Sequence, residues 1–248
     1  MAKFPKLSRE KIVFQLLYKP TLSFYDQLFN AASQLPGYPD WETDSLRVVL
    51  KDPTNKCSAA ISHNSLTYDQ DSANSSIESE RVSTLLSFAK DKISKVQYTR
   101  FGLRQQFICP VEMTPIDLAK VMNVKLNSNT EELTRVIGTN ITDLYFKVDS
   151  TEDELKYHFF ITPVIKNTIP QHLNFNRYYH MPPEERAINY GRLLSNYPDV
   201  AIFIDIDCYT DSALKIEIAQ AFYEKAKSIS NLKAKKIVEY ILASKIEE

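Results

Sequence analysis

The sequence predicts an α+β protein in which a largely antiparallel sheet packs against helices. Three observations favour this class. Apolar runs of strand length alternate with stretches whose apolar residues recur at helical spacing. Polar turns join several strand-like runs, which suits antiparallel pairing. A long amphipathic stretch after Asp211 is typical of a C-terminal helix.

The first half of the chain has the order strand, helix, two strands, helix and strand. This is the order of a ferredoxin-like split βαβ unit, which we expect within the unit formed by residues 1–110. The alternative is one long curved antiparallel sheet wrapped on helices. The predicted strands are Ile12–Tyr18, Leu46–Leu50, Ala59–Tyr68 and Val96–Cys109, and the predicted helices follow Ser23 and Ser75.

Turn and cap signals support these assignments. Lys19-Pro20 closes the first strand, and Pro36-Gly37 ends the first helix. The segment Tyr38–Asp44, which contains the single tryptophan, is predicted to be a loop. Ser75 and Glu78 have the spacing of a capping box. The helix that follows carries an apolar stripe formed by Val82, Leu85, Leu86, Ala89 and Ile93.

The second half, residues 111–248, is predicted to form another α+β unit packed against the first in one continuous body. Helices are expected after Thr114-Pro115 and over residues 131–137 and 182–197. Residues 149–154 are expected to form a hairpin loop and residues 167–181 a longer loop. The final helix is expected to be capped by Asp211-Ser212 and interrupted at Ser230-Asn231. The predicted strands are Ile141–Val148, Lys156–Ile165 and Val200–Tyr209.

Composition limits the classes of function. The chain has 248 residues, 44% of them hydrophobic, and a formal net charge of −1, so no global field attracts nucleic acid or anionic lipid. No apolar run approaches the ~20 residues of a membrane span, and the N-terminal residues lack the pattern of a signal peptide. We therefore expect a cytoplasmic protein with no membrane partner. Cys57, Cys109 and Cys208 have no zinc-site spacing.

Several catalytic motifs are missing from the sequence. It has only four glycines, and it contains neither of the glycine-rich phosphate-binding loops, GxxxxGK[ST] and GxGxxG. It also lacks the GxSxG elbow and the HExxH metal motif. This pattern favours a protein without enzymatic activity.

Two aspartates within an apolar strand are the most unusual feature. Asp205 and Asp207 lie in VAIFIDIDCY, and strand alternation points both to one face of the sheet. A pair of carboxylates can hold Mg²⁺ together with a third acid, for which Asp143 and Glu217 are candidates. Of the hypotheses for these two aspartates, only the metal site implies a cofactor, Mg²⁺.

A structural ion-pair network is the favoured alternative to a metal site. Alternation places Arg100, Gly102 and Arg104 on one face of their strand. If that strand lies beside the aspartate strand, two guanidinium groups face two carboxylates and neutralise them. Gly102 also leaves the backbone open to a close approach, by a ligand or by another strand.

A loop rich in aromatic and polar side chains is a candidate binding segment. Such residues stack on bases or contact a protein partner, although an ordinary surface crossover has the same composition. The two histidines of the loop lack helical metal-ligand spacing. The candidate residues are His172, Asn174, Asn176, Arg177, Tyr178, Tyr179 and His180.

Three stretches together resemble a sporadically distributed, uncharacterised bacterial family of about this length. They are KIVFQLLYKP, the strand TRFGLR, and IDIDCY followed by the terminal helix. Gln105-Gln106 departs from the aromatic-polar continuation usual after GLR. The family implies no established activity, and its patchy occurrence is typical of mobile or defence-linked genes.

These features lead us to expect a non-enzymatic protein-interaction subunit of a bacterial complex, in a phage-defence or toxin-regulating setting. A protein partner or a homo-oligomer would accompany such a role. One alternative is a Mg²⁺-dependent enzyme acting on nucleotide or nucleic-acid phosphates through Asp205 and Asp207. A second alternative is a nucleic-acid-binding module, which requires a basic, aromatic sheet face.

Overall fold

A single antiparallel sheet of nine strands organises the protein. The computed structural model describes residues 6–21, 35–44, 46–71, 75–93, 95–126, 145–173, 194–211 and 214–243. The α+β class, the large antiparallel sheet and the long C-terminal helix are confirmed. The strands are β1 (Ser8–Tyr18), β2 (Asp40–Thr43), β3 (Arg47–Asp52), β4 (Cys57–Ser62), β5 (Ser65–Asp71), β6 (Tyr98–Pro110), β7 (Phe146–Glu152), β8 (Leu155–Ile165) and β9 (Val200–Thr210).

The strand order is β2-β3-β4-β5-β1-β6-β9-β8-β7, and every neighbouring pair is antiparallel. The order is nearly symmetric about the central pair. On one side, β5, β4 and β3 follow β1, and on the other side β9, β8 and β7 follow β6. In each half, the last strand returns to lie beside the first. Because β6 pairs with β1 on one side and with β9 on the other, the sheet is continuous across residue 110, where the two predicted halves meet.

Two long helices cover one face of the sheet. They are α1 (Ser75–Lys92) and α4 (Ala219–Leu242), and α4 packs on β6 and β9. Inward-facing apolar residues of the central strands meet these helices, with Phe14 against Tyr223 (ring centroids 5.3 Å apart) and Phe101 against Phe222 (6.0 Å). Burial of this apolar surface is the main favourable contribution to folding.

A smaller core lies on the opposite face, at one end of the sheet. There the short helix α3 (Ile169–Leu173) places Ile169 and Leu173 against Ile108 and Phe203. Helix α2 (Pro115–Leu126) begins as predicted, because Thr114 Oγ1 accepts a hydrogen bond from the backbone N–H of Asp117 (3.2 Å). None of the helices in the described ranges is long and apolar enough to cross a membrane.

The predicted strand Ala59–Tyr68 is wrong in one respect, since it is two strands. The chain reverses at His63-Asn64, where Ser62 Oγ accepts from the backbone N–H of Ser65 (3.0 Å) and contacts Asn64. The first half thus has the order β2-β3-β4-β5-β1-β6, six strands where a ferredoxin-like unit has four. The ferredoxin-like arrangement is not confirmed, and the observed sheet is closer to the long antiparallel alternative.

Other predicted boundaries also differ from the structure. Asp40–Thr43 is an edge strand rather than a loop, because it pairs with β3. Most of the predicted 149–154 loop belongs to β7, and the turn is confined to Asp153-Glu154, with Asp153 in the left-handed region (φ 55°). Asp211-Ser212 does not cap α4, which begins at Ala219 after a 3-10 turn (Ile216–Ile218) and has no side-chain cap.

The final helix is continuous. The predicted interruption at Ser230-Asn231 is wrong, since α4 runs through both residues to Leu242. Burial of Ser230 and Ala234 joins the two predicted apolar stripes into one. The predicted helices after Ser23 and over residues 131–137, the start of the strand at 141–144 and most of the helix at 182–197 lie outside the described residues.

Candidate functional site

The sheet face opposite α1 and α4 carries a band of charged and aromatic side chains that crosses six strands. We call it the polar face. The strand registers place its members in adjacent rows, since residues directly opposite each other share a face. Its members are Asp69 and Asp71 of β5, Lys11 of β1, Arg100, Gly102, Arg104 and Gln106 of β6, Asp205, Asp207 and Tyr209 of β9, His158 of β8 and Asp149 of β7.

Arg104 and Asp205 form the centre of the polar face. Arg104 Nε donates to both carboxylate oxygens of Asp205 (2.9 and 3.0 Å), and its Nη2 donates to Oδ2. Gln106 Nε2 donates to the same carboxylate (3.0 Å). Asp205 is only 6% exposed, whereas the Arg104 side chain is 53% exposed. The nearby carboxylate raises the pKa of Arg104, so a fixed cation is presented above a buried anion.

Arg100 pairs with the second aspartate. Its Nη2 donates to Asp207 Oδ2 (2.6 Å), and its guanidinium lies over the ring of Tyr209 (4.5 Å to the centroid). Gly102 makes this position possible. A Cβ at Gly102 would lie 3.3 Å from Arg100 Cζ, closer than such contacts normally are. The open backbone expected at Gly102 is therefore occupied by the arginine of the same strand.

A buried lysine extends the network to β5. Lys11 Nζ lies 3.1 Å from an oxygen of Asp69 and 3.3 Å from an oxygen of Asp71. Burial raises the pKa of Asp69 to about 6, while the charge of Lys11 acts in the opposite direction. Sequence reasoning did not find this cluster, because a lysine at a strand start and two aspartates at a strand end carry no mutual signal until the strands are paired.

His158 and Asp149 end the band at the outer strands. His158 Nδ1 lies 2.6 Å from Asp149 Oδ1, and the imidazole stacks on Tyr209 with ring centroids 5.0 Å apart. Tyr209 therefore lies between the guanidinium of Arg100 and the ring of His158. The result is a continuous polar surface on which the acidic strands β5 and β9 lie on either side of the basic strands β1 and β6.

Asp205 and Asp207 are brought to one face, and both are paired with arginine. Among the described residues, no group of three or more His, Cys, Asp or Glu side chains is arranged to hold a metal ion. Glu217 lies in the 3-10 turn that packs against α1, on the helix-bearing side, and Asp143 is outside the described residues.

Only one member of the candidate binding loop is described. His172 lies in α3, where its ring packs against Phe203 (5.2 Å) and its carbonyl oxygen accepts from Gln106 Nε2 (3.4 Å). This residue connects the small core to the centre of the polar face. The remaining members, Asn174, Asn176, Arg177, Tyr178, Tyr179 and His180, lie outside the described residues.

The cysteines are buried thiols. Burial raises the pKa of Cys109 to about 11 and that of Cys208 to about 12, and it raises the pKa of Cys57 as well. These raised pKa values favour the thiol form at neutral pH, whereas only the thiolate form is nucleophilic. The structure therefore places the three cysteines in the packing of the sheet.

A second charge network lies on the helix-bearing face and was missed by sequence reasoning. Glu78 of α1 is fully buried and contacts Arg9, the hydroxyl of Tyr223 and the ammonium of Lys227 (2.8 Å). With its amide oriented to satisfy both atoms, Gln105 accepts from Arg9 Nη1 (3.0 Å). The carboxylate thus joins α1, β1 and α4.

Comparisons with known proteins give little further guidance. No protein-family model matches the chain, and no curated protein matches it. Among solved structures, the chain is similar to one described as Methanococcus jannaschii TBP, with a TM-score of 0.38 and 9% identity over 96% of this chain and 98% of that one. A likeness of this degree supports no statement about the function of this chain.

Proposed function

We propose that the chain is a non-enzymatic protein-interaction subunit of a bacterial complex and that it binds its partner through the polar face. The observation that carries this proposal is the Arg104–Asp205 pair, a half-exposed cation fixed on a buried anion at the centre of the sheet. Its position in a defence or toxin-regulating complex rests on the sequence resemblance alone.

The chemistry of the polar face favours recognition over catalysis. Asp205 accepts from Arg104 and Gln106, so its oxygens are already engaged, and a general base or metal ligand needs free lone pairs. A Mg²⁺ ion at Asp205 and Asp207 would have to compete with the guanidinium group that each carboxylate already contacts. By contrast, arginine and tyrosine are enriched in protein interfaces, where they provide large, rigid contact surfaces.

The charge balance of the face also favours a protein partner over nucleic acid. Each central arginine lies against a carboxylate, so the face does not form the basic stripe that a phosphate backbone attracts. A face that carries paired charges of both signs fits a protein partner whose surface has the complementary charge pattern. Such electrostatic complementarity contributes specificity.

The test is affinity isolation of the tagged chain from its native host, as wild type, Arg104→Gln and Arg47→Gln. Arg47 provides the matched control, because its guanidinium also pairs with an aspartate, Asp44 (3.0 Å), but near the sheet edge. We expect a stoichiometric protein companion that is lost with Arg104→Gln and retained with Arg47→Gln. Circular dichroism first establishes that both variants are folded.

Three outcomes would overturn the proposal. They are the absence of a protein companion, retention of the companion by all three proteins, and release of the companion by nuclease. The last outcome would support the nucleic-acid-binding alternative.

A further inference from the structure

We propose that two copies of the chain pair through the outer edge of β7, with Val148 of one copy opposite Val148 of the other. Within the part of the chain that the structure describes, β7 is the last strand of the sheet, and it is seven residues long. All its residues except Phe146 are exposed. An edge strand presents backbone donors and acceptors that can pair with another strand, so this edge can join two sheets into one.

Symmetry limits the possible pairings. In a closed dimer the same strand of each copy forms the interface, and a twofold axis perpendicular to the sheet makes the two strands antiparallel. Opposed side chains must lie on the same face of the joined sheet, and faces alternate along a strand. One residue of β7 must therefore lie at the axis, directly opposite its own copy. Axes at Val148, Asp149 and Ser150 pair the largest number of β7 residues.

Charge selects one of these centres. With the axis at Val148, Lys147 lies opposite Asp149 of the other copy, and the symmetry repeats this pair. With the axis at Asp149, two carboxylates lie opposite each other. With the axis at Ser150, Val148 lies opposite Glu152 and no ion pair forms. Opposite charges across a strand pair stabilise it and like charges destabilise it, so the Val148-centred register is favoured.

The surroundings of these residues suit the same register. Lys147 and Asp149 both lie on the side of the sheet opposite α1 and α4, where they pair with Phe160 and His158 of β8. The Asp149 side chain is 80% exposed, although it already contacts His158. Val148 is 50% exposed on the helix-bearing side, so pairing would bury apolar surface there.

The other edge of the sheet resists the same pairing. Strand β2 has only four residues. An axis at Trp41 would place Asp40 opposite Glu42 twice, and an axis at Glu42 would place two glutamates opposite each other. Both registers oppose like charges. Self-association through β7 alone gives a closed dimer rather than a filament.

A charge exchange tests both the interface and its register. In sedimentation velocity, we expect the wild type to form a dimer that dissociates on dilution. Lys147→Asp alone and Asp149→Lys alone should each be monomeric, because both ion pairs become pairs of like charges. An equal mixture of the two variants should recover the dimer, because the mixed dimer has two ion pairs again, one of the native sign and one of reversed sign. Lys90→Asp, which reverses an exposed charge on α1, is the matched control and should remain dimeric.

A cysteine substitution tests the register directly. Directly opposed residues have Cα atoms ~4.5–5.5 Å apart, which a disulfide can span. Because the three native cysteines are buried, Val148→Cys should give a disulfide-linked dimer on oxidation, and Ser150→Cys should not.

The proposal fails if the wild type is monomeric at all concentrations, or if the two charge variants dimerise separately as well as the wild type does. Equal crosslinking of the two cysteine variants would also overturn it. None of these results bears on the polar-face partner, since that proposal does not depend on β7 pairing.

Discussion

Replacing Arg104 with alanine should destabilise the protein substantially. The change removes the guanidinium that donates to both oxygens of Asp205 and leaves this buried carboxylate with Gln106. Removing one partner of a buried ion pair costs ~3–5 kcal/mol, whereas an exposed pair contributes ~0–1 kcal/mol. Because Asp205 is buried, Arg104 is half exposed and Gln106 remains, we expect a loss of ~2–3 kcal/mol.

The assay is equilibrium urea unfolding followed by circular dichroism. Arg47→Ala, at an exposed pair near the sheet edge, should change the free energy of unfolding by no more than ~0.5 kcal/mol. Arg104→Ala should cost less in an Asp205→Asn background than in the wild type, since no charge is then left unpaired. A value for Arg104→Ala within ~0.5 kcal/mol of the control would refute this reasoning.

Three further predictions concern the rest of the fold. Glu78→Gln should cost ~3–5 kcal/mol in urea unfolding, because the partly buried cations Arg9 and Lys227 lose the anion that they share. The exposed control Glu80→Gln should be nearly neutral, and equal effects of the two changes would contradict the buried network. Burial raises the native-state pKa of Asp69 to about 6, above its usual ~3.9, so the native state retains a proton between these pH values and stability falls as pH rises. Asp69→Asn should therefore gain stability relative to wild type from about pH 4 to about pH 7 in urea unfolding, and a constant difference across that range would be inconsistent with the shift. Leu86→Ala should cost ~2–5 kcal/mol as a cavity in the main core, and an unchanged unfolding midpoint would contradict the position of this helix face.

Periodicity and punctuation predicted the long elements of the fold. The amphipathic stripe of α1 and the apolar alternation of β1, β6 and β9 are strong local signals, and these elements lie where expected. The edge strand β2 was missed because four exposed residues provide no periodicity, and its pairing with β3 defines it. The reversal at His63-Asn64 was missed because neither residue is a glycine or proline.

Alternation predicted that the two arginines share one face of their strand and that the two aspartates share one face of theirs, since they lie four and two residues apart. Alternation gives the face of a residue but not which strands are neighbours. The contributions of Lys11, Asp69 and His158 depend on the order β5-β1-β6-β9-β8, which long-range packing determines. The contacts of Glu78 with β1 and α4 also depend on long-range packing. Its local spacing from Ser75 instead fits a helix cap.

Calorimetric titration of Mn²⁺ into the wild type and into Asp205→Asn tests most directly whether the β9 carboxylates serve arginine or a metal ion. If Arg100 and Arg104 satisfy them, neither protein should give saturable heat. Saturable binding by the wild type that is lost in a folded Asp205→Asn variant would contradict the ion-pair network as the basis of the polar face and would favour the Mg²⁺-dependent enzyme.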